Sequence, residues 1–464
     1  MTGVDPGADD GAELVVVGGG VAGLVVARDA ALSGMRVALL EASDRIGGLL
    51  QRADLGGVAI DLGAESYATR TTGVADLVSD AGLPLTLVAP APGGAHLVTV
   101  GDDGIVRAPL PRRTVLGIPA DPLADDVVRI LGRAGAERVA AERTLPPLTS
   151  DDEPTLAELV AARCGAALAE RLVDPLCRSV YSQPADTARL SRLHPALWRE
   201  SVARGSLLAG ADACASTDRA GSAVGGIVGG MWRLAAELER AAIAAGVVIR
   251  TGAPVHEVTP GAGHILVATS DGPLHAAHVV VATGAAAGHA LLGDPAPAAA
   301  APRRVRVVAA LVDDPAFDAH PVGSGAIVAP GVRAAAKALT HANAKWGWLD
   351  EELPAGRHLF RLSARDAEAP GLSTPADVAR EIALLTGVPV RPDAVVAVTG
   401  AVYPDAVAGP PLDERRRAQL AAAGIHLAGA AAAGTGLASV IPHARALAAS
   451  LTSTPSTVPS RSVA

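Results

Sequence analysis

Lysine, asparagine and the aromatic residues are scarce in this chain of 464 residues. It has two lysines, Lys337 and Lys345, one asparagine, Asn343, four tryptophans, three tyrosines and two phenylalanines. Such a composition supplies an aromatic cage poorly. Cysteine is as sparse: Cys164, Cys177 and Cys214 are an odd set with no CxxC pair, which excludes a disulfide framework and a thiolate metal site and fits a reducing cytoplasm. Basic excess is missing too, because the net charge is −9, and that excludes a general nucleic-acid surface. The opening MTGVDPGADDGA lacks a basic stretch followed by an apolar one, so no secretory signal is expected there. The nearly uncharged run 423–444 is broken by glycines and a proline, which predicts a strand, turn and helix rather than a transmembrane segment.

What the chain does have is apolar surface: 50% hydrophobic against 19% charged residues, with mean hydropathy +0.33, gives a globular body. The length suggests about two domains. Residues 13–18 predict a short buried strand, followed by glycines, a helix over Val21–Leu32 ended near Gly34, and a second apolar strand over 36–41 ending in Glu41. Buried strands are predicted again at 247–249, 278–283 and 425–429, with helices at 234–245 and from Gly436 to about Leu451. Between them, 86–221 is proline-rich and then helical, with helices near 155–163, 166–180 and 190–204, and 291–395 is mixed strand and helix. The fold class is therefore α/β. A discontinuous nucleotide domain (11–85, 222–290 and 396–452) alternates with a second, mixed α+β and helical domain (86–221 and 291–395), and tails 1–10 and 453–464 are expected to be disordered.

The stretch VVVGGGVAGL carries the first chemical signal. Gly18 permits the tight turn, Gly20 lets backbone approach a pyrophosphate, and Gly23 lets helix and strand pack closely. Free N–H groups at the helix start favour phosphate charge. Glu41, 18 residues after Gly23, is placed to accept hydrogen bonds from a ribose diol and to repel a 2′-phosphate. Asp44-Arg45-Ile46-Gly47-Gly48 then adds a second glycine pair and a guanidinium beside the first site, which suits a cofactor longer than NAD.

These segments, with VAIDLGAESY at 58–67, resemble the flavin-dependent oxidoreductases of the amine oxidase and protoporphyrinogen oxidase superfamily. Residues 163–198, GSGAIVAP at 323–330, KALTHANAKWGWL at 337–349 and IHLAGAAAAGTGLASVI at 425–441 narrow the resemblance to its FAD-dependent protoporphyrinogen and coproporphyrinogen III oxidases. The resemblance implies a p-hydroxybenzoate-hydroxylase-like FAD domain with an inserted substrate domain. It places Gly18, Gly19, Gly20, Val21, Ala22, Gly23, Glu41, Ala42, Arg45, Gly47, Gly48, Leu49, Gly63, Ala64, Glu65 and Ser66 along the cofactor. Val255 is expected to present backbone to the adenine, and Thr435, Gly436 and Leu437 to approach the isoalloxazine. The chain departs from the pattern at Thr399, where the family usually has tryptophan, and at His96, near which some members carry a cation.

The implied activity is oxidation of a porphyrinogen to a porphyrin: hydride passes to flavin N5, a nitrogen proton is lost, and O2 reoxidises the flavin to give peroxide. The alanine-rich, lysine-poor composition is similar to that of high-GC actinobacterial proteins, and in that setting the resemblance implies coproporphyrinogen III as substrate in haem biosynthesis. The expected partners are this tetrapyrrole, O2 and, transiently, a ferrochelatase, and the expected place is the cytoplasm, peripherally at the membrane. Substrate carboxylates need cations, so Lys337 and Lys345 are the first candidates, with Arg112, Arg113 and His96 behind them. No catalytic base is identified. Protoporphyrinogen IX oxidase, another flavin amine oxidase or desaturase, and a non-catalytic flavoprotein are the alternative readings.

Overall fold

The computed structural model describes residues 11–101, 104–149, 153–180, 183–215, 224–261, 263–294, 304–365, 371–404, 412–434 and 436–453. Both expected tails, apart from Ser453, lie outside them. Four runs of small β-branched and leucine residues, Leu14–Val17, Val37–Leu40, His278–Val281 and Ile425–Leu427, join Val248–Arg250 in a five-stranded parallel sheet. Its order runs 248–250, 37–40, 14–17, 278–281, 425–427. Near-continuous apolar strands require cover on both faces. Side-chain alternation divides that cover. Leu14, Val16, Val37, Leu39 and Val280 pack under the helices Val21–Leu32, Trp232–Ala244 and Leu437–Ser453. Val15, Val17, Ala38, Leu40, Val279 and Val281 pack under an antiparallel meander, Val255–Pro260, Ile265–Thr269 and Gly272–Ala276.

A seven-stranded sheet lies beside it, ordered 395–403, 305–313, 357–365, 338–341, 325–328, 96–101, 104–109. All its pairs are antiparallel except 325–328 with 96–101. One face, including Val308, Phe360 and Leu362, is closed by the helix Pro375–Thr386. The other, including Val307, Ala309 and Leu311, faces the two-stranded ribbon Arg52–Leu55/Val58–Asp61 and the short helices Ala342–Lys345 and Gly347–Glu352. Helices at 125–140, 156–164, 166–180, 195–204 and 207–214 gather round a separate core with Leu97 and Ala108.

Two sequence boundaries move. The expected domain join at 396 falls inside Val395–Tyr403, which pairs along 305–313 as an edge of the seven-stranded sheet, so this strand goes with that sheet. The helix expected over 190–204 is two, Leu190–Leu193 and Pro195–Arg204. Pro195 drives His194 out of helical geometry and starts a new helix, which His194 caps by accepting from the Leu197 N–H at 3.0 Å.

Candidate active site

Backbone closes on the first glycine loop at two of its glycines. Gly18 has φ +109°, and a Cβ there would lie 2.8 Å from the Ala282 carbonyl oxygen. At Gly23 a Cβ would lie 2.0 Å from the Gly18 carbonyl oxygen, so helix and strand touch only because it has none. Gly20 differs, because nothing lies within 4 Å of where its Cβ would be. It begins the helix Val21–Leu32 with no side-chain cap and no acid in the first turn. The first N–H groups of that helix therefore point to an anionic acceptor supplied from outside the chain.

Glu41 is fixed beside this loop. Its carboxylate accepts from the Gly19 N–H at 2.7 Å and from Ser43 N–H and hydroxyl at 2.9 and 2.7 Å. Backbone bonds from Glu41 N–H to Arg250, from Gly252 to Ser43 and from Ala253 to Glu41 bring the turn before Val255 alongside. The second glycine pair meets the first directly: Gly47 bridges Gly20, and a Cβ on Gly48 would lie 3.2 Å from the Gly20 Cα. Arg45 donates to the Gly48 carbonyl and to Gln51 Oε1, and the Tyr403 hydroxyl donates to the same Gln51 oxygen. Ala42, Gly48, Leu49 and Ala64 are exposed along this groove, and Ala64 N–H donates to the Leu49 carbonyl.

Past Ala64 the groove meets the seven-stranded sheet. There Glu65 lies between two cations, with Lys345 Nζ 2.9 Å from Oε1 and Arg361 Nη1 2.7 Å from Oε2, while the Thr340 hydroxyl donates to Oε1 at 3.0 Å. Burial works to raise the carboxyl pKa, but Lys345 and Arg361 outweigh it and hold Glu65 at about 2. Arg361 also donates to the carbonyls of Leu62 and Gly63, and Lys345 lies over the Trp346 ring. Asn343 accepts from the Leu359 N–H and donates to Asp350, which fixes the short helix that carries Lys345. Nearby, burial pushes the Asp61 carboxyl up to about 6 while the Met231 and Trp232 N–H groups it accepts from pull the other way. A cavity of about 280 Å³ opens here, lined by residues 63–66 and by Val307, Ala338, Thr340, Arg361, Leu362 and Ser363.

The sequence-chosen cations fall out differently. Lys345 does not offer a free ammonium to a substrate carboxylate, because Glu65 already takes it. Lys337 alternates with Ala338 and Thr340 and so falls on the other face of its strand. His96 lies in the row Ala326, Leu339, Leu362, Val308, the face under the helix Pro375–Thr386. Arg113 is paired with Asp212 in the helical block, and Arg112 N–H with Asp126. Arg361, the cation that does line the cavity, was missed; its only signal was a charge between the apolar residues of LFRL at the centre of its strand. Thr399 lies in the row Thr340, Arg361, Ala309 and so belongs to the cavity face. Leu437 begins the last helix, and Gly436 is exposed with Arg70 Nη2 3.7 Å from its Cβ position, while Thr435 lies outside the described residues. Among the described residues no group of three His, Cys, Asp or Glu could hold a metal.

The open Gly20, the uncapped helix start and the anchored Glu41 fit an adenine dinucleotide, and the Gly47–Gly48 pair extends the cradle toward Glu65. A model of the flavin containing amine oxidoreductases matches residues 21–313. The chain belongs to the flavin containing amine oxidoreductase family. Its cofactor is FAD. A coproporphyrinogen III oxidase of Mycobacterium leprae is 34% identical over 364 residues, covering 75% of this chain and 76% of that protein. One of Bacillus subtilis is 28% identical over 204 residues, 42% of each chain. A solved structure from Exiguobacterium, described as a candidate protoporphyrinogen oxidase, superposes with a TM-score of 0.80 over 95% of this chain and 98% of that one; at 23% identity it speaks for the fold alone. As a member of this oxidoreductase family the chain is an oxidase, and among its described residues no helix is long and apolar enough to cross a membrane.

Proposed function

We propose that this chain oxidises coproporphyrinogen III, a reduced tetrapyrrole with carboxylate side chains, to coproporphyrin III in haem biosynthesis, with O2 as final oxidant. The observation that carries the reading is the kinship with the Mycobacterium leprae enzyme over three quarters of both chains. Metal insertion into the product places transient contact with a ferrochelatase, at the cytoplasmic membrane surface, within the same reading.

Bound FAD supplies a hydride acceptor that O2 can reoxidise. The chain supplies position and dryness. Gly20 and the helix behind it hold the cofactor's phosphates, Glu41 its ribose, and the 62–65 segment its ring end. Val307 lines the cavity and belongs to the apolar core of Leu55, Ile60, Leu62 and Ala309, which keeps that side of the site dry. Glu65, held at about 2 by its two cations, takes no proton at neutral pH and acts as a positioning residue. Aromatisation of the product drives the reaction, so the site needs no strong base.

The test is direct. The purified yellow protein, given coproporphyrinogen III in air, is expected to form porphyrin and peroxide together, and to form neither with alkylamines. Bound flavin with no turnover of coproporphyrinogen III, or faster peroxide from an amine, would overturn the proposal. Faster turnover of protoporphyrinogen IX would shift it to that substrate.

A further inference from the structure

Under the turn 314–323, on the sheet face opposite the cavity, three histidines meet. His341 and His358 are buried, and His341 stacks on Phe360 with ring centres 4.5 Å apart. His320, held in the turn at φ +47°, sets its ring edge-on to His341 at 5.2 Å. His358 Nε2 lies 3.0 Å from Oδ1 of Asp318, a residue of the same turn whose side chain is 57% exposed, so the buried pair communicates with solvent protons.

The carboxylate fixes the hydrogen of neutral His358 on Nε2, which leaves Nδ1 with a single lone pair. Two donors are aimed at it: His341 Nε2 at 3.0 Å and the Asn343 amide Nδ2 at 3.1 Å. A proton taken up by His358 must go to Nδ1, and that turns the acceptor into a donor. His341 is able to adapt, because its second ring nitrogen has no partner among the described residues and can take over its hydrogen. The amide nitrogen of Asn343 has no lone pair to offer. Turning the amide over would set its nitrogen against the Leu359 N–H and its oxygen against Asp350, the two groups it now joins. Proton uptake therefore sets His358 against Asn343, the residue that seats the short helix Ala342–Lys345 on its strand. At the end of that helix Lys345 meets Glu65 at the ring end of the flavin groove.

We infer that His358 is a positioning residue whose protonation unseats Asn343, so that the helix carrying Lys345 is fixed when His358 is neutral and loosened when it is charged. The inference does not depend on which substrate is oxidised. The groups acting on His358 are Asp318 and His320 of the turn, His341 of the neighbouring strand and Asp350 of the next helix. Burial is the strongest influence and displaces its proton uptake below the usual 6.5, while Asp318 and Asp350 pull the other way. Burial also holds His341 neutral, at about 2. The unfolded chain takes the proton first, so the latch contributes stability that is full above about pH 6.5 and is lost as pH falls toward the lower folded value. Glu65, at about 2, keeps its charge over that span, whereas Asp61, at about 6, titrates within it and has to be separated experimentally.

The experiment follows FAD-loaded protein from about pH 8 to about pH 4.5, reading hydrogen-exchange protection of residues 341–350, relative to unstructured peptide, and the visible circular dichroism of bound flavin. Protection is expected to fall roughly tenfold on the acid side, the loss of one buried hydrogen bond, while the strand 14–17 stays protected. His358→Asn keeps an acceptor for Asn343 and cannot titrate, so its protection is expected to stay within about twofold across the range. Asp318→Asn, an exposed change that covers the case in which His358→Asn folds poorly, is expected to move the transition to lower pH by roughly half a unit to one unit. Asp61→Asn is expected to leave that transition in place. A flat profile in the unsubstituted protein, the same fall in His358→Asn, or an unmoved transition in Asp318→Asn would overturn the inference. Loss of the transition in Asp61→Asn would overturn it too, since the proton would then belong to Asp61. A flavin signal identical in His358→Asn and the unsubstituted protein at every pH would show that the latch does not reach the flavin site, which also ends the proposed role.

Discussion

The glycine cradle and the Glu65 cavity are built on opposite principles. In the cradle the contacts are mostly backbone, and the glycine and acid contacts are local in sequence: Glu41 reaches Gly19 across 22 residues, and Gly47 bonds back to Gly19, while distant strands close it through Ala282 and Arg250. At the cavity the contacts are side chains from distant segments, and Lys345 meets Glu65 across 280 residues. Backbone sites need atoms to be absent, such as a Cβ at Gly18 or Gly23. Side-chain sites need charges brought together by a sheet. The first should be destroyed by added bulk, the second by altered charge, and substitutions can separate the two.

Bulk should have the largest effect. In Gly23→Val even the Cβ would sit 2.0 Å from the Gly18 carbonyl oxygen, and the helix must lift from the strand, costing more than about 3 kcal/mol. The expected product is a colourless or unfolded chain, read from flavin absorbance per protein and from the melting temperature. A yellow Gly23→Val variant with normal stability would mean that the cradle is not held by close packing.

Charge should act through pH. Glu65 titrates at about 2 in the fold against an ordinary value of 4.5. A depressed carboxyl stabilises the fold above its unfolded pKa, so this contribution is full above roughly pH 5 and fades as pH falls toward 2. Asp61 has the opposite sign. Raised from 3.8 to about 6, it weakens the fold as pH climbs through that window, and its penalty is fully present above about 6. Glu65→Gln should lower stability by about 1–3 kcal/mol at neutral pH and flatten the acid limb, while Asp61→Asn should flatten the span between roughly pH 4 and 6. Denaturant melts across pH 2–8 measure both. An unchanged acid limb in Glu65→Gln would remove the electrostatic account of this corner.

The same difference decides what could be read from the sequence. The cradle was legible because its spacing is local: glycines, helix start and terminal acid sit on consecutive elements, and the unbroken apolar runs LVVV and VALL already implied buried strands. The cavity was not. Glu65 stood in a run that resembled a flavin segment, and nothing in its neighbourhood announced Lys345 or Arg361. The rarity of lysine drew attention to KALTHANAKWGW as a source of cations for substrate carboxylates, whereas Lys345 is taken by Glu65; rarity carries no direction. Only the strand register shows that Thr340 and Arg361 share a face that His96 and Lys337 do not. The misplaced join at 396 has the same cause, since an edge strand's partner lies about 90 residues upstream, beyond any local pattern.

The two lysines give the finest version of the contrast, because they lie eight positions apart on one segment. Lys345 is buried against Glu65 and Trp346. Lys345→Met leaves the carboxylate with Arg361 alone, and a loss of about 1–2 kcal/mol is expected, together with a Glu65 pKa that moves up from about 2 because one of its two cations is gone. Lys337 falls with Leu339, away from the cavity, and Lys337→Met should leave coproporphyrin III binding within about twofold. If Lys337→Met weakened porphyrin binding as much as Lys345→Met, the alternation along this strand would be misassigned.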